Sequence, residues 1–67
     1  MTITLNGKPH EIEGENLKVN ELVAALELGD HPVLVELNGE AILVREFEQH
    51  CVTNGDTVEI VRMVAGG

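Results

Sequence analysis

The sequence predicts an α+β fold, in which one helix packs against one face of a mixed β-sheet. Three observations support this prediction: a hairpin pattern at the start, the apolar periodicity of one amphipathic helix over residues 19–28, and an alternating strand pattern over residues 57–64. A single helix can cover one face of a small sheet and bury it.

The first 13 residues have the pattern of a β-hairpin. Residues 2–6 alternate polar and apolar side chains, as a half-buried strand does. Asn6-Gly7 supplies the positive φ angles of a tight turn, and residues 8–13 can return as a second strand. Pro9 has no N–H to donate, so we expect it near a strand start or on an edge strand.

One amphipathic helix is predicted over residues 19–28. Its apolar positions follow the i, i+3, i+4, i+7 spacing of one helix face, at Val19, Leu22, Val23 and Leu26. Glu21 lies in the first turn, where a carboxylate favours the helix dipole. Gly29 is the expected stop.

The second half of the chain predicts three more strands. Residues 33–37 are rich in β-branched side chains, residues 41–44 are short and apolar, and residues 57–64 end the domain. Between them, residues 45–50 are expected to form an irregular or single-turn segment that Phe47 anchors. The order ββαβββ, with the first and last strands paired in parallel at the centre, would be a β-grasp, ubiquitin-like domain.

Size and charge limit the function. A chain of 67 residues allows one small domain, in which a deep active site is not expected. The formal net charge is −8, and Phe47 is the only aromatic residue. Nucleic acid and anionic membranes are therefore improbable partners, because the chain would repel phosphates and has no stacking platform. A partner with a basic groove is favoured.

The cysteine and histidine content points to a cytoplasmic protein without a bound metal. Cys51 is the only cysteine, so no internal disulfide is possible, which favours a reducing compartment. No secretion signal is recognisable at the N-terminus. Cys51 is expected to be a small buried or half-buried residue. His10, His31 and His50 are scattered, and no convergent set of metal ligands is evident.

The C-terminal residues Ala65, Gly66 and Gly67 are the strongest functional signal. A long strand leads directly into two glycines, so we expect residues 1–64 to form the domain and residues 65–67 a flexible tail. Glycine has wide φ/ψ freedom and no side chain, which lets such a tail enter a narrow channel. The carboxylate of Gly67 would then be accessible, but another enzyme would have to activate it with ATP.

The last strand also predicts a docking surface. If Val58 and Ile60 face the helix, alternation places Glu59, Val61 and Met63 on the opposite face. Val61 and Met63 would then be apolar side chains in solvent, directly before the tail. Such a patch is typical of an interface.

These C-terminal residues resemble those of the ThiS family of sulfur carriers in thiamin biosynthesis. The resemblance rests on Val44-Arg45-Glu46, His50, Asn54-Gly55-Asp56 and the run from Val58 to Gly67. It extends more loosely over all 67 residues. The family is similar in fold to ubiquitin and to the molybdopterin-synthase sulfur carrier. That second carrier usually has prolines before its Gly-Gly, where this chain has Arg62-Met63-Val64.

The resemblance implies a protein co-substrate that binds no cofactor of its own. An E1-like adenylyltransferase of the ThiF type would adenylate Gly67 and consume ATP. Sulfur from a cysteine desulfurase persulfide would then replace the adenylate and leave a thiocarboxylate. Thiazole synthase of the ThiG type would receive that sulfur. In this scheme Gly66 and Ala65 give the enzymes access to Gly67.

Three alternatives remain open on the sequence alone. The chain could carry sulfur for another pathway, such as the molybdopterin type, or could be a ubiquitin-like modifier joined to lysines through Gly67. It could also be a non-covalent binding module that uses the Val61 and Met63 face. A conventional enzyme is disfavoured, because no nucleophile–base constellation is evident.

Overall fold

A computed structural model describes residues 1–29 and 31–63 of the chain, and it has a β-grasp fold. The described part contains seven strands, one α-helix and one 3₁₀ helix. In chain order they are β1 (Thr2–Leu5), β2 (Lys8–Glu11), β3 (Asn16–Lys18), α1 (Val19–Ala25), β4 (Val33–Leu37), β5 (Glu40–Ile42), the 3₁₀ helix (Val44–Gln49), β6 (Cys51–Thr53) and β7 (Thr57–Arg62). The predicted boundary between residues 64 and 65 lies outside the described residues and stays a prediction.

The main sheet has five strands in the order β2-β1-β7-β4-β5. The last strand lies at its centre, where it pairs in parallel with β1 and antiparallel with β4. This confirms the predicted mixed sheet and its parallel central pair. Pro9 lies in β2 at the edge of the sheet, as its missing N–H requires.

One apolar core lies between this sheet and the helix. Phe47 of the 3₁₀ helix is 7% exposed and anchors that segment, as predicted. Val58 and Ile60 face the helix, which confirms the predicted alternation of the last strand. The buried apolar residues are Ile3, Val19, Leu22, Val33, Val35, Ile42, Phe47, Val52, Val58 and Ile60.

The helix ends three residues before residue 28, its predicted last residue. Its last residue is Ala25, and Glu27 adopts a left-handed conformation with φ 51°. Leu26 and Leu28 are both half-buried against the core. Residues two apart do not share a helix face, so ending the helix lets both side chains pack. At the other end, Glu21 accepts a hydrogen bond from the Lys18 backbone N–H at 2.9 Å and caps the first turn.

Two short strands, β3 and β6, were not predicted. They form a separate antiparallel pair, in which Leu17 lies opposite the buried Val52. Three residues are too few to show a clear alternation. Cys51 is exposed, so its predicted burial was wrong. Val52 takes the inner position of β6, and alternation turns its neighbour outward.

Other boundaries differ by a few residues from those predicted. Strand β2 ends at Glu11, before the predicted residue 13. Strand β5 ends at Ile42, because the Leu43 N–H donates to the Glu46 carboxylate at 3.2 Å and begins the 3₁₀ helix. Strand β7 ends at Arg62, and Val64 lies outside the described residues.

Asp56 organises the turn before β7. Its carboxylate accepts hydrogen bonds from the Thr53 N–H at 2.8 Å, the Thr53 hydroxyl at 3.3 Å and the Asn38 amide at 3.2 Å. Desolvation by burial alone would raise the pKa of Asp56. The three hydrogen bonds outweigh it and hold that pKa below its ordinary value of 3.8.

We expect Asp56→Asn to lower the free energy of unfolding by about 1 kcal/mol at pH 7, a value reduced for solvent screening. Because the pKa is depressed in the folded state, ionised Asp56 stabilises the fold above the unfolded pKa. That contribution is lost as pH falls below about 4. Urea unfolding at pH 7 and at steps down to pH 2 measures both effects. The exposed Glu48→Gln is the control. Equal stability of Asp56→Asn and wild type throughout this range would contradict the assignment.

Candidate functional site

The site lies where β7 leaves the sheet. Because this strand is central, its neighbours fix its position and direction on both sides. Its pairing with β4 runs from Val58, opposite Leu37, to Arg62, opposite Val33. The Met63 N–H then donates to the Pro32 carbonyl at 2.8 Å. The chain path is thus held by backbone hydrogen bonds up to Met63, four residues before Gly67.

Asn6 holds the other side of β7 near this exit. Its side-chain oxygen accepts from the Ile60 N–H at 2.8 Å, and its amide nitrogen donates to the Ile60 carbonyl at 3.1 Å. Asn6 has φ 50° and begins the turn by which β1 leaves the sheet. Its amide therefore replaces the backbone partner that β1 no longer provides. Sequence reasoning identified Asn6 only as a turn residue.

Asn38 plays the same part at the start of β7. Its side-chain oxygen accepts from the Thr57 N–H at 2.9 Å, and its own N–H donates to the Thr57 carbonyl at 2.7 Å. Two of the Asn-Gly turns, at Asn6 and Asn38, thus each supply an amide that hydrogen-bonds the central strand, at Ile60 and at Thr57. The strand that leads to the C-terminal residues is thus held by side-chain amides as well as by its neighbouring strands.

The outer face of the sheet carries an apolar patch beside the exit. Val61 is 59% exposed, Leu34 is 58% exposed and Met63 is 41% exposed. Leu34 and Val61 lie directly opposite each other on β4 and β7. The predicted exposure of Val61 and Met63 is confirmed, and the docking role given to them stays a prediction. Leu34 was missed, although alternation with the buried Val33 and Val35 could have identified it.

An acidic pair lies next to the apolar patch. Glu36 and Glu59 are directly opposite each other, two residues further from the exit than Leu34 and Val61. With Asn6 these four residues line a shallow depression of about 250 Å³. The outer face is therefore apolar near the exit and acidic behind it. Such a surface can bind a protein. The two pairs contain no thiol, hydroxyl or imidazole that could act as a nucleophile.

No metal site emerges in the part of the chain that the structure describes. Residues 1–29 and 31–63 contain no group of three or more His, Cys, Asp or Glu side chains arranged to hold an ion. The same residues contain no helix that is long and apolar enough to cross a bilayer. Of the predicted site residues, Val61 and Met63 are described, whereas Ala65, Gly66 and Gly67 lie outside the described residues.

The fold and the exposed patch define the class of this protein: a ubiquitin-like β-grasp domain with an apolar surface beside the exit of its last strand. Comparison with known proteins identifies the family. The sequence model of the ThiS family matches residues 3–67, which include the Ala-Gly-Gly end. The chain belongs to the ThiS family, and the resemblance seen in the sequence is confirmed.

Individual relatives agree with this assignment over nearly the whole chain. The sulfur carrier protein ThiS of Thermus thermophilus is 37% identical over 65 residues, which are 97% of this chain and 98% of that protein. The crystal structure of the thiamine biosynthesis protein ThiS from Geobacter metallireducens is 42% identical, with a TM-score of 0.87 and full coverage of both chains. A solution NMR structure of a thiamine biosynthesis protein from the same organism gives a TM-score of 0.83 at 42% identity, covering 100% of this chain and 88% of that one.

Proposed function

We propose that this chain is a sulfur carrier of thiamine biosynthesis, and that Gly67 is the residue that carries the sulfur. The observation that carries the proposal is the family match, which continues through Gly67. The relatives named as ThiS are a sulfur carrier and thiamine biosynthesis proteins, and this chain covers almost all of their length. The chain would act as a co-substrate, with the chemistry supplied by other enzymes.

The chemistry begins with the Gly67 carboxylate, which is inert towards acyl transfer until it is activated. In our proposal an E1-like adenylyltransferase of the ThiF type binds ATP and this chain, the Gly67 carboxylate attacks the α-phosphate of ATP, and pyrophosphate leaves. The terminal sulfur of a persulfide, derived from a cysteine desulfurase, then attacks the acyl carbon and displaces AMP. A thiol must cleave the resulting S–S bond, because only then is the thiocarboxylate released.

The acceptor in this proposal is a thiazole synthase of the ThiG type. A thiocarboxylate is a soft nucleophile, and its attachment to a folded domain lets protein contacts select the recipient. The hydrogen bonds of Asn6 and Asn38 to β7 support this use, since they help to fix the position of the strand that leads to Gly67. A reducing cytoplasm suits the chemistry, because the thiocarboxylate and the exposed Cys51 thiol remain reduced there.

The final product separates this proposal from a ubiquitin-like modifier: a thiocarboxylate at Gly67 for a carrier, and an isopeptide bond to lysine for a modifier. Purified chain, ATP and the activating enzyme should give exchange of labelled pyrophosphate into ATP that depends on the chain. Adding a persulfide donor and a thiol should then give the thiocarboxylate at Gly67. Isopeptide adducts on lysines in place of the thiocarboxylate would reject the carrier function in favour of a modifier. Absence of exchange with an enzyme that is active on its own carrier would reject activation of this chain.

We predict that Met63→Asp weakens binding of the activating enzyme by roughly tenfold or more, because it places a charge in the centre of an apolar interface. The thermal midpoint should change little, since Met63 is 41% exposed and follows the end of β7. Titration calorimetry measures the binding. The matched control is Val44→Asp, which introduces the same charge at an apolar side chain that is 66% exposed on the 3₁₀ helix. Equal affinities of Met63→Asp and wild type would show that this face does not dock.

A further inference from the structure

The outer face of β4 and β7 carries two neighbouring cross-strand pairs of opposite character. Leu34 lies opposite Val61, and Glu36 lies opposite Glu59. All four side chains are exposed. Positions two apart on a strand are separated by roughly 7 Å, and directly opposed side chains have Cβ atoms about 5 Å apart. An apolar pair and a doubly negative pair thus lie side by side, with the apolar pair closer to Met63.

The acidic pair does not benefit the free protein, because like charges directly opposite each other destabilise an antiparallel ladder. Leu34 and Val61 keep more than half of their surface exposed, so much of their apolar area is still available for burial by a partner. The basic side chains of this chain are placed elsewhere. Arg62 is on the helix side of β7, where it lines a cleft with Leu26 and Leu28. Lys8 pairs with Leu5, whose side chain packs against the core.

Lys18 and Arg45 lie outside the main sheet, on β3 and the 3₁₀ helix. A cation that neutralises the Glu36–Glu59 pair would therefore come most directly from another molecule. The formal net charge of −8 adds a long-range attraction for a basic surface.

We infer that Glu36 and Glu59 together form a receptor for one arginine or lysine side chain of the activating enzyme, while Leu34 and Val61 receive an apolar side chain next to it. This inference rests on the proposed function and adds the chemistry of the partner surface. Two glutamates whose Cβ atoms are about 5 Å apart can both direct their carboxylates to one guanidinium or ammonium group. Because the apolar and acidic pairs differ, the enzyme can bind in only one orientation, which directs the end of β7 to its active site.

The test is steady-state adenylation by the purified activating enzyme, with the full chain as the varied substrate. Glu36→Gln and Glu59→Gln should each raise KM by about tenfold and leave kcat unchanged, because they remove binding and not chemistry. The rise should shrink at high salt. Both variants should unfold at a midpoint equal to or above that of wild type, since the repulsion between the two carboxylates is removed.

Glu48→Gln is the matched control. It removes the same charge from an exposed glutamate on the 3₁₀ helix and tests whether net charge alone explains the effect. Wild-type KM in both Gln variants, or an equal rise in Glu48→Gln, would overturn the inference and leave the proposed function intact. If wild-type chain is not adenylated at all, the proposed function fails and this inference fails with it.

Discussion

Deletion of Gly67 is expected to abolish sulfur loading and to leave the free energy of unfolding within about 0.5 kcal/mol of wild type. The two effects separate because the buried apolar residues of the described chain all lie between Ile3 and Ile60. The truncated chain would still end in a glycine carboxylate, that of Gly66. This carboxylate would lie one residue closer to β7 than the carboxylate of Gly67 does. An extended residue spans about 3.3–3.6 Å, so the carboxylate would fall short of a fixed catalytic centre.

Gly67→Ala provides a graded version of the same test. It keeps the length of the chain and adds one methyl group beside the reacting carboxylate. We expect loading to fall by roughly tenfold or more, because misplacement by about 1 Å already costs about two orders of magnitude in some enzymes. Intact mass after incubation with ATP, activating enzyme and sulfur donor measures loading, and urea unfolding is the control for the fold. Loading of the truncated chain at the wild-type rate would place the reacting group somewhere other than Gly67.

Leu22→Ala is expected to remove about 2–5 kcal/mol of the free energy of unfolding. Leu22 is 0% exposed and lies on the face of α1 that packs against the sheet. A domain of this size has a total of roughly 3–10 kcal/mol, so the variant should be largely unfolded or close to it at 37 °C. The substitution destabilises the fold because it leaves a cavity, and so small a core cannot relax enough to fill it.

The matched control is Leu34→Ala, the same chemical change at a side chain that is 58% exposed on the outer face. It should cost below about 1 kcal/mol, since surface changes usually have small effects. Urea unfolding of the two variants gives the comparison. Equal losses would mean that the core does not lie on the helix side of the sheet as described.

The patterns that repeat along the chain predicted the fold. Alternation placed Val58 and Ile60 inward and Val61 outward, and helical spacing identified the face that carries Leu22. The turn at Asn6-Gly7 was found, because positive φ angles are a local property of those residue types. These signals depend on neighbours in sequence, so the sequence is sufficient to detect them.

Contacts between distant residues were not predictable in the same way. The hydrogen bonds of Asn6 to Ile60 join residues 54 apart in the chain, and no local pattern indicates them. The Glu36–Glu59 pair depends on the register of β4 against β7, which no local sequence pattern specifies. Cys51 was misplaced for a related reason, since β6 exists only through its pairing with β3. The tail residues that carry the proposed chemistry were identified from the sequence alone.

The most direct test of the central claim is the intact mass of this protein after purification from its native cells under conditions that preserve thiocarboxylates. Our account predicts a fraction whose mass exceeds that of the chain by the difference between one sulfur and one oxygen atom. Fragmentation should place this gain on Gly67, and incubation with ATP, activating enzyme, persulfide donor and thiol should increase the fraction. A chain that stays at its unmodified mass in an enzyme mixture proven active on another carrier would contradict the account.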